Sequence, residues 1–226
     1  MSSKRNKYDQ RDCLEMGEKA EDVFARIAAQ KGWKVTTASS YANVNDHWDF
    51  LIQKGAERYR VDVKGMKRLG RHDAGVQDQW IWIELHGVRG HDRGWLYDGK
   101  AELIAFEKAG SFMIVRRNDL IKLVEQLVDM NTTVHSAKDA RYKVYSRPGR
   151  PDRITMIETE KLAGIRWDEW LNQRSKGAEE QGSKGAGEKA PLLPCAPAPL
   201  IGRCPDGVSR ERKSLLSNRF CVYLPR

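Results

Sequence analysis

The stretch "YRVDVKGMKR", residues 59–68, places Asp62 and Lys64 two positions apart inside a run that reads as a β-strand. Side chains alternate across a strand, so Val61 and Val63 face one way while Arg60, Asp62 and Lys64 share the other face. The preceding run "HWDFLIQ" carries Asp49, and the polar "KGAE" between the two runs predicts an antiparallel hairpin that brings the Asp49 carboxylate near that of Asp62. Two carboxylates beside an ammonium suit Mg²⁺, with Mn²⁺ as a substitute. The ion takes one or two carboxylates and fills its shell with waters and substrate phosphate oxygens. A metal held there would polarise a phosphate and acidify a bound water, while Lys64 orients or helps deprotonate that water and offsets developing charge. The chemistry such a set suits is phosphodiester hydrolysis.

A third acid lies upstream, in "GEKAEDVFARIAAQKGWKV". On a helix, Glu21 neighbours Gly17, Phe24 and Ala28 on a half-apolar face, whereas Glu18 sits nearer Glu15 and Asp22. The order of helix Glu21, strand Asp49 and strand Asp62-x-Lys64 resembles the PD-(D/E)XK nuclease superfamily, the restriction-endonuclease-like fold. The helix itself is similar to the opening helix of its Holliday-junction-resolvase-like branch, where a Gly is followed four residues later by a Glu. The resemblance covers roughly residues 12–120 and departs at Trp48, which stands where the family name has proline. It implies that Glu21, Asp49, Asp62 and Lys64 are catalytic, that Asp49, Asp62 and Glu21 hold the metal, and that the chain is a Mg²⁺-dependent deoxyribonuclease. Gln77 and Gln79 take positions that contact the attacking water in some members.

Each residue also has a plainer reading. Asp62 and Lys64 could be the solvated face of a half-exposed strand, Asp49 a turn cap, and Glu21 one of many surface helix acids. Neither alternative accounts for acids at matching positions of two apolar strands. His86 and His91 lie in the glycine-punctuated "GVRGHDRG", where incidental loop histidines are the simpler reading.

The elements that must position these groups follow from periodicity. "RDCLEMGEKAEDVFARIAAQKG" spaces Leu14, Ala20, Val23, Phe24, Ile27 and Ala28 as one helix face, with Gly32 as its stop. "WKVTTAS", "HWDFLIQ", "RYRVDVKG", "QWIWIELHG", "GWLYDG", "AELIAFE" and "SFMIVRR" read as strands. A second helix is expected from a cap at Asn118 or Asp119 through "LIKLVEQLVDM", followed by strands in "RYKVYS" and "RITMIET" and a short helix in "TEKLAGI". This pattern predicts an α/β (α+β) domain over residues 8–174, a mixed β-sheet flanked by helices. Residues 175–226 form a flexible, low-complexity basic tail rich in Gly, Ala, Pro and charge, too poor in apolar groups to order itself.

Composition narrows the partner. Lys and Arg outnumber Asp and Glu by 40 to 31, a net charge of +9 with pI near 9.4, which favours a polyanion such as DNA. Lys67, Arg68 and Arg71 follow the D-x-K strand, and Arg89 and Arg93 punctuate the glycine loop, so both segments could neutralise phosphates. No recognition helix is evident, so selectivity is expected for structure or shape, or to be absent, rather than for base sequence. Trp80 and Trp82 alternate on one strand and pack one face of the sheet, with a stacking platform for bases as the functional alternative. The four cysteines are scattered and read as free thiols of a cytoplasmic, intracellular protein with neither signal peptide nor spanning segment, acting as a monomer or homodimer away from membranes. The rival function is a non-catalytic nucleic-acid-binding or assembly module on the same fold, including a particle protein of viral or mobile-element origin.

Overall fold

Residues Met16–Gln30 form helix α1, whose apolar stripe buries Ala20, Phe24, Ile27 and Ala28. Lys31 ends it, and Gly32 takes the left-handed conformation (φ 84°) that lets the Trp33 amide donate to Ala28 O (3.0 Å) and the Gly32 amide to Ala29 O (2.9 Å). The computed structural model describes residues 15–70, 73–89, 92–147 and 149–172. The expected tail, Leu14, Arg71, His91 and all four cysteines lie outside them.

After α1 the chain runs through β1 (Lys34–Thr37), a π-helical turn (Ala42–Asp46), β2 (Phe50–Lys54), β3 (Glu57–Lys64), β4 (Trp80–His86), the short helix α2 (Gly94–Asp98), β5 (Leu103–Lys108) and β6 (Ser111–Arg116). Helix α3 (Arg117–Leu127), β7 (Asp129–Val134), a 3₁₀ turn (Ala137–Asp139), β8 (Lys143–Ser146), β9 (Arg153–Glu158), a 3₁₀ helix (Thr159–Ile165) and β10 (Arg166–Leu171) complete it. The fold is mixed α+β, as expected, but its strands divide between two mixed sheets rather than one. The first has the order β1-β2-β3-β5-β6-β10 and the second β4-β9-β8-β7. In the first sheet only β3 and β5 are parallel, and in the second only β7 and β8.

One face of the first sheet packs on α1: Phe24 and Ile27 meet Ile52, Val61, Val63, Leu103, Phe112, Ile114 and Trp170. Phe24 has no exposed surface and stacks on Trp170 with ring centres 5.2 Å apart. Full burial of such a side chain contributes roughly 1.5–3 kcal/mol. The other face, with Ile104, Phe106, Met113 and Val115, packs against Ile81, Ile83 and Leu85 of β4, Trp95 and Leu96 of α2, and Leu120 and Val124 of α3. Strand β3 is therefore covered on both faces, and whatever Asp62 and Lys64 do, they do it against a wall of protein rather than open solvent.

Three expectations are corrected. "GWLYDG" is the helical turn α2, not a strand: Gly94 (φ 74°) turns the chain, Asp98 accepts from the Arg93 amide, and Trp95 and Leu96 are buried. Helix α3 begins at Arg117 with no side-chain cap, which places Asp119 in its first turn, where an acid complements the helix dipole. It ends at Leu127, and Asp129–Val134 become β7 instead of a last turn. Strands β7 and β10 have no counterpart in the sequence reading. Among the described residues no helix is long and apolar enough to cross a membrane.

Candidate functional site

The β2–β3 hairpin sets the first pair of acids. Its register pairs Phe50 with Val61 and Leu51 with Arg60, and the Asp49 amide, just ahead of β2, also donates to Val61 O (2.8 Å), so the register breaks there and Asp49 lies against the Val61–Val63 stretch of β3 that carries Asp62. Asp49 is held by two donors, the Asn43 side-chain amide to Oδ1 (2.5 Å) and the Val63 backbone amide to Oδ2 (2.7 Å). The turn that supplies Asn43 lies outside both strands and carries no signal in the sequence pattern.

Asp62 is nearly enclosed, at 4 % exposure. Lys64 Nζ lies 2.7 Å from its Oδ2, an oxygen with under 1 Å² of accessible surface. The contact is a close, buried charge pair. Burial pushes the Asp62 carboxyl up to about 7, with Lys64 opposing the rise and the neighbouring Asp49 adding to it. Burial alone would lower the Lys64 pKa, but Asp62 and Asp49 outweigh it and hold the ammonium above its usual value. Lys64 also sits over the Trp95 ring, 4.8 Å from its centre, and keeps 29 % of its side chain exposed.

Glu21 reaches the same cleft because α1 comes very close to the end of β3. A Cβ at Gly65 would lie 3.2 Å from Ala20 Cβ and 3.4 Å from Met16 O, a spacing that only glycine accepts without displacement. Gly17 and Glu21 then line the cleft with Asp49, Asp62 and Lys64, in a cavity of about 120 Å³. The four residues expected to form the site are thus brought to one place.

Two further groups were not anticipated. Glu84, on β4 of the second sheet, is 4 % exposed and lines the cleft; burial pushes it up to about 7, opposed by Lys64 and reinforced by Asp92 and Asp62. Its signal was present, an acid inside the apolar run "WIWIELH", the same feature that marks Asp62. His47 ends the π-helical turn in the left-handed region (φ 52°), and its Nε2 lies 3.5 Å from Asp92 Oδ1. Burial and Lys64 lower its pKa, with Asp92 opposing, so the ring is neutral at pH 7.

The basic residues divide. Lys67 lines the cleft, but Arg68 spends a guanidinium nitrogen on Asp73 O (3.0 Å). Arg89 is exposed and donates to Asn45 Oδ1 (2.9 Å); Arg93 is exposed and covers the Tyr97 ring at 5.3 Å. Gln77 clamps the loop: its side chain donates to Lys67 O and Trp80 O and accepts from the Trp80 amide, which leaves its amide group committed to backbone. Trp82 packs on Tyr145, Ile154 and Met156 with Trp80 against them, as expected for one sheet face, and both rings also line the cleft.

Among the described residues no three His, Cys, Asp or Glu side chains are already gathered as a ligand set. What the cleft does offer is a pair of neighbouring buried carboxylates, Asp49 and Asp62, with Glu84 and two lysines, Lys64 and Lys67, among its lining. Glu21, Asp49, Asp62, Asp78, Glu84 and Glu107 outnumber Lys64 and Lys67 in that lining, which leaves an excess of negative charge when they are ionised, and a divalent cation is a chemical fit to that excess. Comparison of the chain with protein-family models, curated proteins and solved structures gives no match.

Proposed function

We propose that the chain is a divalent-metal-dependent nuclease that hydrolyses DNA phosphodiester bonds at the Asp49–Asp62–Lys64 cleft. The observation that carries this reading is the pair of neighbouring buried carboxylates, Asp49 just ahead of β2 and Asp62 on β3, with an ammonium 2.7 Å from one of them. Burial of the Asp62 carboxylate carries a desolvation cost that its pairing with Lys64 only partly offsets, which favours a chemical role for it.

Asp49 and Asp62 would hold Mg²⁺ or Mn²⁺, with Glu21 on the helix side. A bound metal supplies charge neutralisation at the phosphate and a more acidic water. The protein groups divide the remaining work. Asn43 and the Val63 amide fix the Asp49 carboxylate, so the ligand is preorganised. Lys64 stays protonated at neutral pH and acts as a donor and a positive charge towards the phosphate oxygens, not as a base. The water's proton has two candidate acceptors, the neutral imidazole of His47 and the carboxylate of Glu84, whose pKa of about 7 suits proton exchange near neutrality.

The test is cleavage of a labelled DNA panel in Mg²⁺, Mn²⁺, Ca²⁺ and EDTA, by the parent chain and by Asp62→Asn. Cleavage is expected in Mg²⁺ and Mn²⁺, with binding but little turnover in Ca²⁺, and Asp62→Asn should lose at least about 10²-fold in rate. Equal activity in EDTA, or an undiminished Asp62→Asn, would sink the proposal.

A further inference from the structure

We infer that the DNA taken by this cleft is an unpaired strand, a single-stranded end or flap, and not the intact face of a duplex. The inference rests on the nuclease reading and adds its substrate class. Three observations carry it.

The first is recess. Asp49, Asp62 and Glu84 are 7 %, 4 % and 4 % exposed, and a water-sized probe meets less than 1 Å² of Asp62 Oδ2. A duplex presents its phosphates on a stiff convex rim, whose curvature keeps them above a cavity of about 120 Å³. It could deliver one only by unstacking and rotating a nucleotide out of the helix. A single strand has free backbone torsions and enters without that step.

The second is the opposite wall. The acids on β2 and β3 are faced by β4 of the second sheet, so the site lies between two sheets rather than on an open surface. Trp95 and Phe106 close the apolar side of the cavity, and Lys64 rests on Trp95. A phosphate must therefore enter between protein walls on both sides.

The third is the lining. Trp80, half-buried, borders the cleft, and the exposed Arg141 guanidinium lies 4.5 Å from its ring centre. Lys67 lines the same cleft. Aromatic rings for base stacking alongside cations for the backbone are the recognition chemistry of unpaired strands, sequence-tolerant because every base has a π-face. A duplex hides its base faces and has no use for such a ring.

The experiment uses the full chain and one labelled oligonucleotide in three forms: single-stranded, in a blunt duplex, and as the flap of a partly paired duplex. Cleavage is measured in Mn²⁺, and binding in Ca²⁺ by fluorescence anisotropy. The single strand and the flap should be cut at least about tenfold faster than the blunt duplex, with cuts mapping to unpaired positions. A blunt duplex cut as fast as the single strand, or flap cuts inside the paired segment, overturns the inference and leaves the nuclease reading standing. If no form is cut in any metal but the single strand still binds more tightly than the duplex, the preference stands and the nuclease reading falls. Equal binding without cleavage overturns both.

Discussion

Asp62→Asn should make the protein more stable at pH 8, while it abolishes activity. In the folded chain the carboxyl is pushed from 3.8 up to about 7, so between those values the folded state holds a proton that the unfolded state has released. Its contribution is fully present below pH 3.8 and is lost as pH rises through about 7. At 1.36 kcal/mol per pH unit, the interval corresponds to on the order of 4 kcal/mol of stability lost by the parent across this range. Glu84, pushed from 4.5 up to about 7, acts in the same direction in both proteins. Asparagine keeps the shape and carries no charge, but it withdraws the carboxylate facing Lys64, and that loss offsets part of the gain. The expected net is a variant about 1–2 kcal/mol more stable than the parent at pH 8 and no more stable at pH 4. Urea unfolding followed by tryptophan fluorescence at both pH values measures this directly, and the difference between the proteins cancels the titrations they share, including that of His47. Adding Mg²⁺ at pH 8 should then raise the parent's unfolding free energy by about 2.7 kcal/mol at a hundredfold excess over Kd, and leave that of Asp62→Asn unmoved. A variant less stable than the parent at pH 8, with the same change between the two pH values, would refute the reasoning.

Three other outcomes follow from the same geometry. Lys64→Ala should lower the cleavage rate by about 10²–10³ while DNA binding in Ca²⁺ changes only a few-fold, because the ammonium acts on developing charge; unchanged cleavage would return Asp62 and Lys64 to an ordinary strand face. Lys67→Ala should weaken DNA binding uniformly and reduce the slope of log affinity against log salt by about 1, read by anisotropy over a salt series, and an unchanged slope would remove it from the phosphate path. Gly65→Val should destabilise the chain by about 1–3 kcal/mol in urea unfolding, since its side chain meets Ala20 and the Met16 carbonyl; a neutral result would mean that α1 does not press on β3.

The hairpin that carries Asp49 and Asp62 was legible because two apolar runs joined by a short polar turn fix a register locally, and the helix with Glu21 because its stripe and its glycine stop are local too. What the sequence hid is non-local. Nothing in "AELIAFE" says that β5 lies parallel to β3, or that "QWIWIELHG" belongs to another sheet whose strand faces the acids. That separation puts Glu84 in the cleft, and without it an acid in an apolar run has no visible destination. "GWLYDG" failed for a different reason: five residues are too few for the helical and strand periods to differ, and a glycine at φ 74° decided the matter. The Asn118 or Asp119 cap failed because good capping residues two positions inside a helix look the same in sequence as ones at its start.

The ring stack between Phe24 and Trp170 joins α1 to β10, the first and last described elements of the chain. During synthesis the apolar stripe of α1 lacks its Trp170 cover, and β6 keeps one open edge, until β10 emerges. Such a chain has a high contact order: its first sheet can be completed only after nearly the whole domain has emerged, so it folds late and nearly all at once. A nascent or proteolysed chain ending before Trp170 therefore exposes the Phe24 end of the helix stripe and the open edge of β6 together, two features that recruit chaperones and drive aggregation.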